Sequence, residues 1–414
     1  MMAGVRPRAK RNAAVAKDLG RKAPNPRSLA GMDSKPMPET AVPWRPKDCE
    51  RVALVLQGGG ALGAYQGGVY EALQEAGIEP DWVSGVSIGA INAALIAGNR
   101  RADRLPALRE FWRRITDRTL WVHTPDGDVF RQGRNAFSSF TSALFGQPGF
   151  FEPKRLSPWL LPAGHKDATS YYDIAPLRQT LNELVDFDLI NSKQVRFSVG
   201  AVNVLTGNFV FFDNARETIT ASHVLASGAL PPAFPMTQIG TDYFWDGGIV
   251  SNTPLQHLLA QDDNLNSLVF QVDLFSANGP LPRTIQDVMV RHKDIMYSSR
   301  TRQVTDMFAR LQRWKYRCYE ALIKIPESEL SDEQREMRDK LSDLPRVTIL
   351  QLIYQKQAYE GAARDYEFSA DSMHEHWLNG HEDTRKTLAH KAWLEIPSKA
   401  GGIVTHDLHR DYGR

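Results

Sequence analysis

The sequence has little of what marks secreted or membrane-spanning proteins. Its 414 residues contain two cysteines, Cys49 and Cys318, which are too few for a disulfide framework and favour a reducing compartment. No run approaches the roughly 18 apolar residues of a membrane span. No apolar segment of about 7–15 residues marks a secretory signal near the start. We therefore expect a cytoplasmic protein whose membrane contact, if any, is peripheral and at the inner face.

Charge is unevenly distributed, although the net formal charge is only +2. Residues 1–48 hold 11 Lys and Arg against 4 Asp and Glu, so this part carries +7 and the remainder about −5. The same part is rich in proline and lacks a hydrophobic period, which predicts a disordered basic tail. Such a tail can hold anionic lipid or nucleic acid by charge alone. A solvated extension is the simpler interpretation, and no nucleic acid partner is expected.

Strand and helix patterns alternate once the tail ends. Val52–Leu56 is a short apolar strand, and Ala64–Ala76 is a helix that ends at Gly77. A second strand at Trp82-Val83 is followed by a helix over Ala90–Ala97. This alternation indicates an α/β fold with a parallel sheet. Further strands are predicted at 195–204, 209–212, 267–274 and 347–354.

Two regions depart from this alternation. Residues 120–170 are rich in phenylalanine among Gly, Pro and Ser, which predicts an apolar flap that lines or covers a site. After Pro282, apolar residues recur at helical spacing, which predicts one or two long amphipathic helices with arginine on their polar faces. Such a face can lie on anionic lipid, but a solvated face is the simpler interpretation.

The first glycine motif reads GGGALG at residues 58–63 and follows the first predicted strand. Gly58, Gly60 and Gly63 have the G-x-G-x-x-G spacing of a dinucleotide-binding loop. Asp81, about 20 residues further on, would then be the ribose-binding acid. It precedes the second strand, however, whereas that acid belongs at the C-terminal end of the strand.

A second motif, GVSIG at residues 85–89, lies between a predicted strand and a helix. This context favours a nucleophile elbow, in which Ser87 is turned outward and Gly85 and Gly89 leave room for the bend. The helix that follows would place its N-terminal N–H groups near developing negative charge. An ordinary glycine-flanked turn is the alternative interpretation.

A serine nucleophile requires a base. The histidines His223, His257 and His292 lie in no motif that suggests this role. Asp246, at the end of an aromatic strand and before Gly247 and Gly248, is the better candidate. An Asp-Gly pair is also common in turns, so this motif alone does not establish a base.

Taken in order, GGGALG, GVSIG and the Asp-Gly-Gly turn resemble the motifs of the patatin-like phospholipase family. The blocks SGALPPAFP at 227–235 and NTPL at 252–255 resemble it as well, so the resemblance covers roughly residues 52–260. The DYEFS segment at 365–369 resembles the C-terminal extension of a bacterial subgroup.

The resemblance implies a three-layer α/β/α core with a mostly parallel central sheet and a largely helical C-terminal extension. The expected parts are a basic tail at 1–48, an acyl hydrolase domain at 49–281 and the extension at 282–414. It also implies a Ser-Asp dyad without histidine, in which Ser87 is the nucleophile and Asp246 is the base. The backbone N–H groups of the oxyanion hole would come from Gly58, Gly59 and Gly60. The remaining glycines that support the motifs are Gly63, Gly85, Gly89, Gly247 and Gly248.

This mechanism needs no cofactor and no metal. A carboxylate at its free pKa of about 4 is a poor base for serine, so the dyad requires an apolar cleft that raises the pKa of Asp246. One departure is Leu62, where many family members have Arg or Lys, which puts headgroup binding by that position in doubt.

The expected function is therefore hydrolysis of lipid esters, of the phospholipase A or lysophospholipase type, at a membrane surface. The alternatives are a dinucleotide-binding oxidoreductase that uses the glycine loop and a catalytically inactive lipid-binding scaffold. The sequence leaves the headgroup, the acyl chain and the oligomeric state open.

Overall fold

The computed structural model describes residues 42–116, 146–261, 263–298, 301–356, 360–361 and 364–408, with the backbone alone for 301–303. Most of the predicted basic tail lies outside the described residues. So does the part of the predicted flap at 120–145, which includes Phe137, Phe140, Leu144 and Phe145.

Eleven strands form within the described residues. They are β1 (Arg51–Leu56), β2 (Trp82–Gly85), β3 (Glu152–Pro153), β4 (Tyr172–Asp173), β5 (Arg196–Asn203), β6 (Phe209–Asp213), β7 (Thr237–Ile239), β8 (Asp242–Asp246), β9 (Ser267–Asp273), β10 (Val347–Ile353) and β11 (Ile403–Asp407). Every residue of β1 and β9 is buried, as expected for strands in the middle of a parallel sheet that is covered on both faces.

Nine of these strands form one sheet in the order β11-β10-β9-β1-β2-β5-β8-β7, with β6 paired to the other edge of β5. The six strands from β11 to β5 are parallel, whereas β6, β7 and β8 join by antiparallel pairing. Strands β3 and β4 form a separate antiparallel pair. The predicted α/β fold with a mostly parallel sheet is confirmed.

The α-helices of the described part are α1 (Ala64–Glu75), α2 (Ile88–Ala97), α3 (Arg101–Thr116), α4 (Ala175–Leu184), α5 (Phe187–Asn191), α6 (Ala221–Ser227), α7 (Leu255–Leu259), α8 (Ile285–Tyr297), α9 (Thr301–Leu322), α10 (Asp332–Ser342) and α11 (Ala370–Ala389). Short 3-10 turns lie at Gly60–Gly63, Pro158–Leu160, Gly247–Ile249, Glu327–Glu329, Arg364–Tyr366 and Lys391–Leu394. None of the described helices is long and apolar enough to cross a membrane.

The extension after residue 282 shares the sheet and the helical layer of the preceding part. Strand β10 pairs in parallel with β9, so the sheet continues across the predicted boundary. Helix α11 packs on α1, where the Trp377 ring lies against the backbone of Gly67 and its indole N–H donates to Glu71. Tyr65 donates to Asp383 at 3.0 Å in the same contact. The domain boundary at 281/282 stays a prediction.

Strand pairing sets the distance between the two candidate catalytic residues. The last residue of β2, Gly85, pairs with Val199 of β5. Two residues further along the same edge of β5, Ala201 pairs with Asp246 at the end of β8. Because β8 continues the edge that β2 leaves, Asp246 lies beside the turn that follows β2.

Candidate active site

Ser87 lies on the tight turn between β2 and α2. Its backbone has φ 56° and ψ −124°, a left-handed conformation that non-glycine residues seldom adopt. Close backbone contacts explain why the residues that flank Ser87 must be glycines. A Cβ on Gly85 would lie 2.2 Å from the Gly89 carbonyl oxygen, and one on Gly89 would lie 2.3 Å from the Leu56 carbonyl oxygen. The turn therefore has the geometry predicted for a nucleophile elbow.

Asp246 is buried at the end of β8 and has two hydrogen-bond partners. Its Oδ1 atom accepts from the backbone N–H of Gly248 at 2.7 Å, and its carboxylate interacts with the Ser87 hydroxyl. Burial raises the pKa of Asp246 to about 7, and the two hydrogen bonds oppose this rise. A raised pKa is what a carboxylate requires to act as a base for serine.

The three glycines of the predicted oxyanion hole differ in whether their backbone N–H groups already have a hydrogen-bond acceptor. The N–H of Gly58 donates to the Asn252 carbonyl oxygen at 3.3 Å, so it is already engaged. Within the described part of the chain, the N–H groups of Gly59 and Gly60 have no acceptor, and both residues line the cavity. The N–H of Ser87 donates to the carbonyl oxygen and hydroxyl of Ser227, each at 3.1 Å. Gly59 and Gly60 are the donors left for a ligand oxygen.

The glycine loop has no space for side chains. A Cβ on Gly58 would lie 3.0 Å from the Ser87 Cβ atom, and one on Gly63 would lie 2.5 Å from Ile88. The Gly247–Gly248 pair that follows Asp246 is packed as closely, since a Cβ on Gly247 would lie 2.6 Å from the Gly200 carbonyl oxygen. These glycines bring loop, elbow and carboxylate strand into direct contact.

Buried amides hold the glycine loop in place. The Gln57 Oε1 atom accepts from the backbone N–H groups of Leu274 and Phe275 at the end of β9. Asn252 Nδ2 donates to the carbonyl oxygens of Gly58 and Tyr297, each at 3.0 Å. Gln57 Nε2 also donates to the Tyr297 carbonyl oxygen, at 3.1 Å. The loop is therefore hydrogen-bonded to α8 of the extension as well as to the core.

Ser87, Asp246 and the glycine loop open onto one cavity of about 820 Å³, including its mouth. Most of its wall is apolar, as an acyl chain would require. The apolar residues that line it are Ile88, Ile91, Phe150, Phe151, Ile174, Leu177, Leu225, Leu230, Phe234, Phe275 and Phe368. Phe150 and Phe151 belong to the predicted flap, whereas Trp159, from the same region, is 84% exposed and outside the lining.

The extension contributes one side of the cavity, which the sequence did not reveal. Asp365, Tyr366 and Phe368 line it together with Tyr297 of α8. The Asp365 carboxylate pairs with Lys293 of α8 at 2.5 Å. Burial raises the pKa of Asp365, and the charge of Lys293 opposes that rise. The DYEFS motif was the sequence feature that could have indicated this contribution, but the residues around it do not predict contact with the glycine loop.

The histidines weighed as bases lie elsewhere. His223 sits in the N-terminal cap of α6 with Thr220, and His257 Nε2 lies 3.0 Å from Asp213. His292 is on the exposed side of α8. Among the histidines that the structure describes, none lines the cavity.

The alternative site for a dinucleotide is not assembled. Asp81 lies before β2, where its carboxylate pairs with Arg45 and accepts from the N–H of Val52 at 2.8 Å. This is the opposite end of the strand from the glycine loop. Leu62, the departure from the family motif noted in the sequence, is fully buried and offers no charge to the cavity.

The chain is an α/β protein in which a serine in a strained backbone conformation, on a strand-to-helix turn, lies next to a buried carboxylate. A family model described as patatin-like phospholipase matches residues 54–259. A second, described as patatin phospholipase, matches residues 295–400. The chain belongs to the patatin-like phospholipase family, a family of lipid acyl hydrolases.

Individual relatives match over short stretches. A 55-residue stretch is 58% identical to lysophospholipase nte1 of Aspergillus terreus, covering 13% of this chain and 4% of that protein. A 61-residue stretch is 48% identical to the human patatin-like phospholipase domain-containing protein 6, covering 15% and 4%. The chain thus spans about 4% of the length of these curated relatives. The crystal structure of VipD from Legionella pneumophila aligns with a TM-score of 0.36 and 15% identity, over 82% of this chain and 67% of that one.

Proposed function

We propose that the protein hydrolyses carboxylic esters of lipids, as a phospholipase A or lysophospholipase, through Ser87 and Asp246. The observation that carries this proposal is the contact between the Ser87 hydroxyl and a buried carboxylate whose pKa is raised to about 7. A base that titrates near neutral pH can take the serine proton and return it within one catalytic cycle.

In the first half of the proposed reaction, Asp246 accepts the proton of Ser87 as its Oγ atom attacks the acyl carbonyl carbon. The carbonyl oxygen gains negative charge and is bound by the free N–H groups of Gly59 and Gly60. The bond from the carbonyl carbon to the alcohol oxygen then breaks. Asp246 gives its proton to the departing alcohol, which leaves an acyl group on Ser87.

In the second half, water attacks the acyl-Ser87 ester and gives a proton to Asp246. The same N–H groups stabilise the second oxyanion. Its collapse breaks the bond from the carbonyl carbon to Ser87 Oγ, which takes the proton back from Asp246, so that the fatty acid leaves and the Ser87 hydroxyl is restored. Gly58 contributes by its lack of a side chain, because a Cβ there would meet Ser87. Its own N–H stays with Asn252.

The apolar wall supports a long acyl chain as the bound part of the substrate. The names of two relatives, a lysophospholipase and a patatin-like phospholipase domain-containing protein, agree with that class of ester. The two cysteines are free, in keeping with the proposed cytoplasmic location.

The test is a hydrolysis panel that contains phospholipids, lysophospholipids, neutral glycerides and thioesters, with products identified by mass. The wild type should release fatty acid from at least one class. Ser87→Ala and Asp246→Asn should each lose at least about 10³-fold in rate. Full activity in either variant would refute the mechanism.

Labelling by a fluorophosphonate probe separates the remaining alternatives. An active dyad reacts at Ser87, and Asp246→Asn slows the reaction, whereas an inactive scaffold gives no labelled serine. Nucleotide that co-purifies with the protein and quenches its fluorescence would instead favour the oxidoreductase.

A further inference from the structure

Helix α9 exposes an apolar stripe along its length. Met307, Leu311 and Trp314 follow one another at helical spacing and are 52%, 48% and 59% exposed. The opposite side of the helix packs on the protein, where Thr305 is buried and the Gln312 side chain donates to the Pro345 carbonyl oxygen at 3.1 Å. The described part of the chain therefore leaves about half of each side chain of the stripe uncovered.

Basic side chains border this stripe on both sides. Arg310, Arg313 and Arg317 lie along one flank and Lys315 along the other, all exposed. Within the described part of the chain, none of the four forms an ion pair. The Arg317 guanidinium lies 5.8 Å from the centre of the Trp314 ring. The helix thus presents apolar and cationic groups together. Its exposed carboxylates on the same flank, Asp306 and Glu320, form no ion pair with these cations within the described part.

Helix α10, which packs beside α9, shows the usual arrangement of a solvated helix. Its cations have carboxylate partners nearby: Arg335 pairs with Asp332, Arg338 with Glu327 and Asp339, and Lys340 with Glu336. The two neighbouring helices therefore differ in whether their cationic side chains form ion pairs within the protein. A solvated face accounts for α10 but leaves the charge of α9 and its apolar stripe unexplained.

We propose that the α9 face, made of the apolar stripe and the four cations, docks on the surface of an anionic lipid bilayer. An amphipathic helix with Lys and Arg beside Trp and Leu binds in the plane of the interface, where its apolar side chains enter the headgroup boundary. The cations bind lipid phosphates, each contributing by attraction to the negative surface. Charge complementarity selects this partner, because a neutral apolar partner would leave four cations unpaired.

The face lies next in the chain to a wall of the candidate active site. Helix α8 precedes α9 directly and contributes Tyr297 to the cavity. From there α9 runs to the N-terminal ends of β1 and β10, where Leu311 and Lys315 line a groove with Arg51 and Val347, so docking through α9 would not by itself place the cavity on a lipid surface. Binding itself does not require hydrolysis, so this proposal is independent of the proposed reaction.

The test is co-sedimentation of the full chain with vesicles of phosphatidylcholine, either pure or mixed with phosphatidylglycerol. We expect binding to the mixed vesicles, little binding to pure phosphatidylcholine, and weakening with salt. The triple variant Arg310→Gln, Arg313→Gln, Arg317→Gln should lower the partition coefficient by about 100-fold, from about fivefold for each charge.

The matched control is Arg335→Gln, Arg338→Gln, Lys340→Gln on α10, which changes the net charge equally and should leave binding unchanged. A second pair tests the apolar stripe: Trp314→Ser should weaken binding, whereas Leu205→Ser, at an exposed hairpin position, should not. Ser87→Ala should bind as the wild type does, which separates this result from any failure of the proposed reaction.

Three outcomes would overturn the proposal: equal binding to both kinds of vesicle, equal losses in the two triple variants, or a dimer in solution that Trp314→Ser dissociates. The last would mean that a second copy of the chain covers the α9 face. Of the six charged residues substituted on α9 and α10, Arg335 and Arg338 are half-buried and the other four are exposed. Thermal unfolding checks that each variant is folded.

Discussion

The backbone carbonyl oxygen of Asp365 lies 2.2 Å from the point that a Cβ on Gly60 would occupy. These residues are about 300 positions apart in the chain, yet the extension closes directly over the glycine loop. The third glycine of the loop therefore serves two purposes. It has φ +55°, which glycine adopts without strain, and it leaves room for the DYEFS segment.

We predict that Gly60→Ala strongly reduces ester hydrolysis. The methyl group would push against the Asp365 backbone and displace a free N–H group, and loss of such a donor costs about 10²–10³ in rate. The matched control is Gly207→Ala, where φ is +70° but nothing lies within 4 Å of the new atom. Steady-state kinetics should show near wild-type rates for the control. Equal losses would mean that backbone strain alone explains the effect.

The rate should depend on pH through Asp246. Only the ionised carboxylate accepts the serine proton, and the pKa of Asp246 is raised to about 7. We predict that kcat/KM rises with pH to a plateau above about 7, measured with an uncharged ester so that the substrate does not titrate. A profile that is already flat from about pH 5 upward would contradict the raised pKa.

Asp246→Asn should stabilise the protein at high pH while it abolishes activity. The folded-state pKa lies above the ordinary value of 3.8, so ionising the wild-type carboxyl costs folding free energy. The wild type should lose stability relative to the variant as pH rises from about 4 through 7, by at most about 4 kcal/mol. Urea unfolding of both proteins across this range measures the difference. A constant difference would show that burial of the charge is not its cause.

The Lys293–Asp365 pair should hold the extension against the cavity. We predict that Lys293→Met destabilises the protein by about 1–3 kcal/mol, because a buried carboxylate loses a cation. Asp365→Asn added to it should recover part of the loss, which a double-mutant cycle would detect. The control is Lys340→Met, which breaks an exposed pair with Glu336 and should cost no more than about 0.5 kcal/mol. Strictly additive effects would exclude coupling between Lys293 and Asp365.

The apolar wall should limit acyl-chain length. Leu177 of α4 is buried and lines the cavity, so Leu177→Trp should occupy space that a long chain needs. We predict at least a tenfold loss on long-chain esters and little change on acetyl esters, which use the dyad alone. Leu205→Trp, at an exposed position, is the control. Loss on every chain length would point to damage at the dyad instead.

Much of the fold and the reactive serine could be predicted because the determining contacts are local. The bend at Ser87 depends on Gly85 and Gly89, which touch within five residues of chain. The predicted strand at 52–56 and helix at 64–76 agree with β1 and α1 to within one residue at each end. Helix α11 begins at Ala370, directly after Ser369, whose side chain caps its N-terminus. Burial patterns and turn residues act over a few positions along the chain, so they can be recognised in the sequence.

The sequence by itself determined the motifs, their order and the alternation of strand and helix. Only the tertiary structure decided which groups meet. Asp246 reaches Ser87 because β8 takes over the edge of β5 where β2 ends, and burial there raises its pKa. Gly58 gives its N–H to Asn252, which leaves Gly59 and Gly60 for a ligand. These are long-range consequences of strand pairing and of desolvation, which depend on the whole packed chain rather than on neighbouring residues.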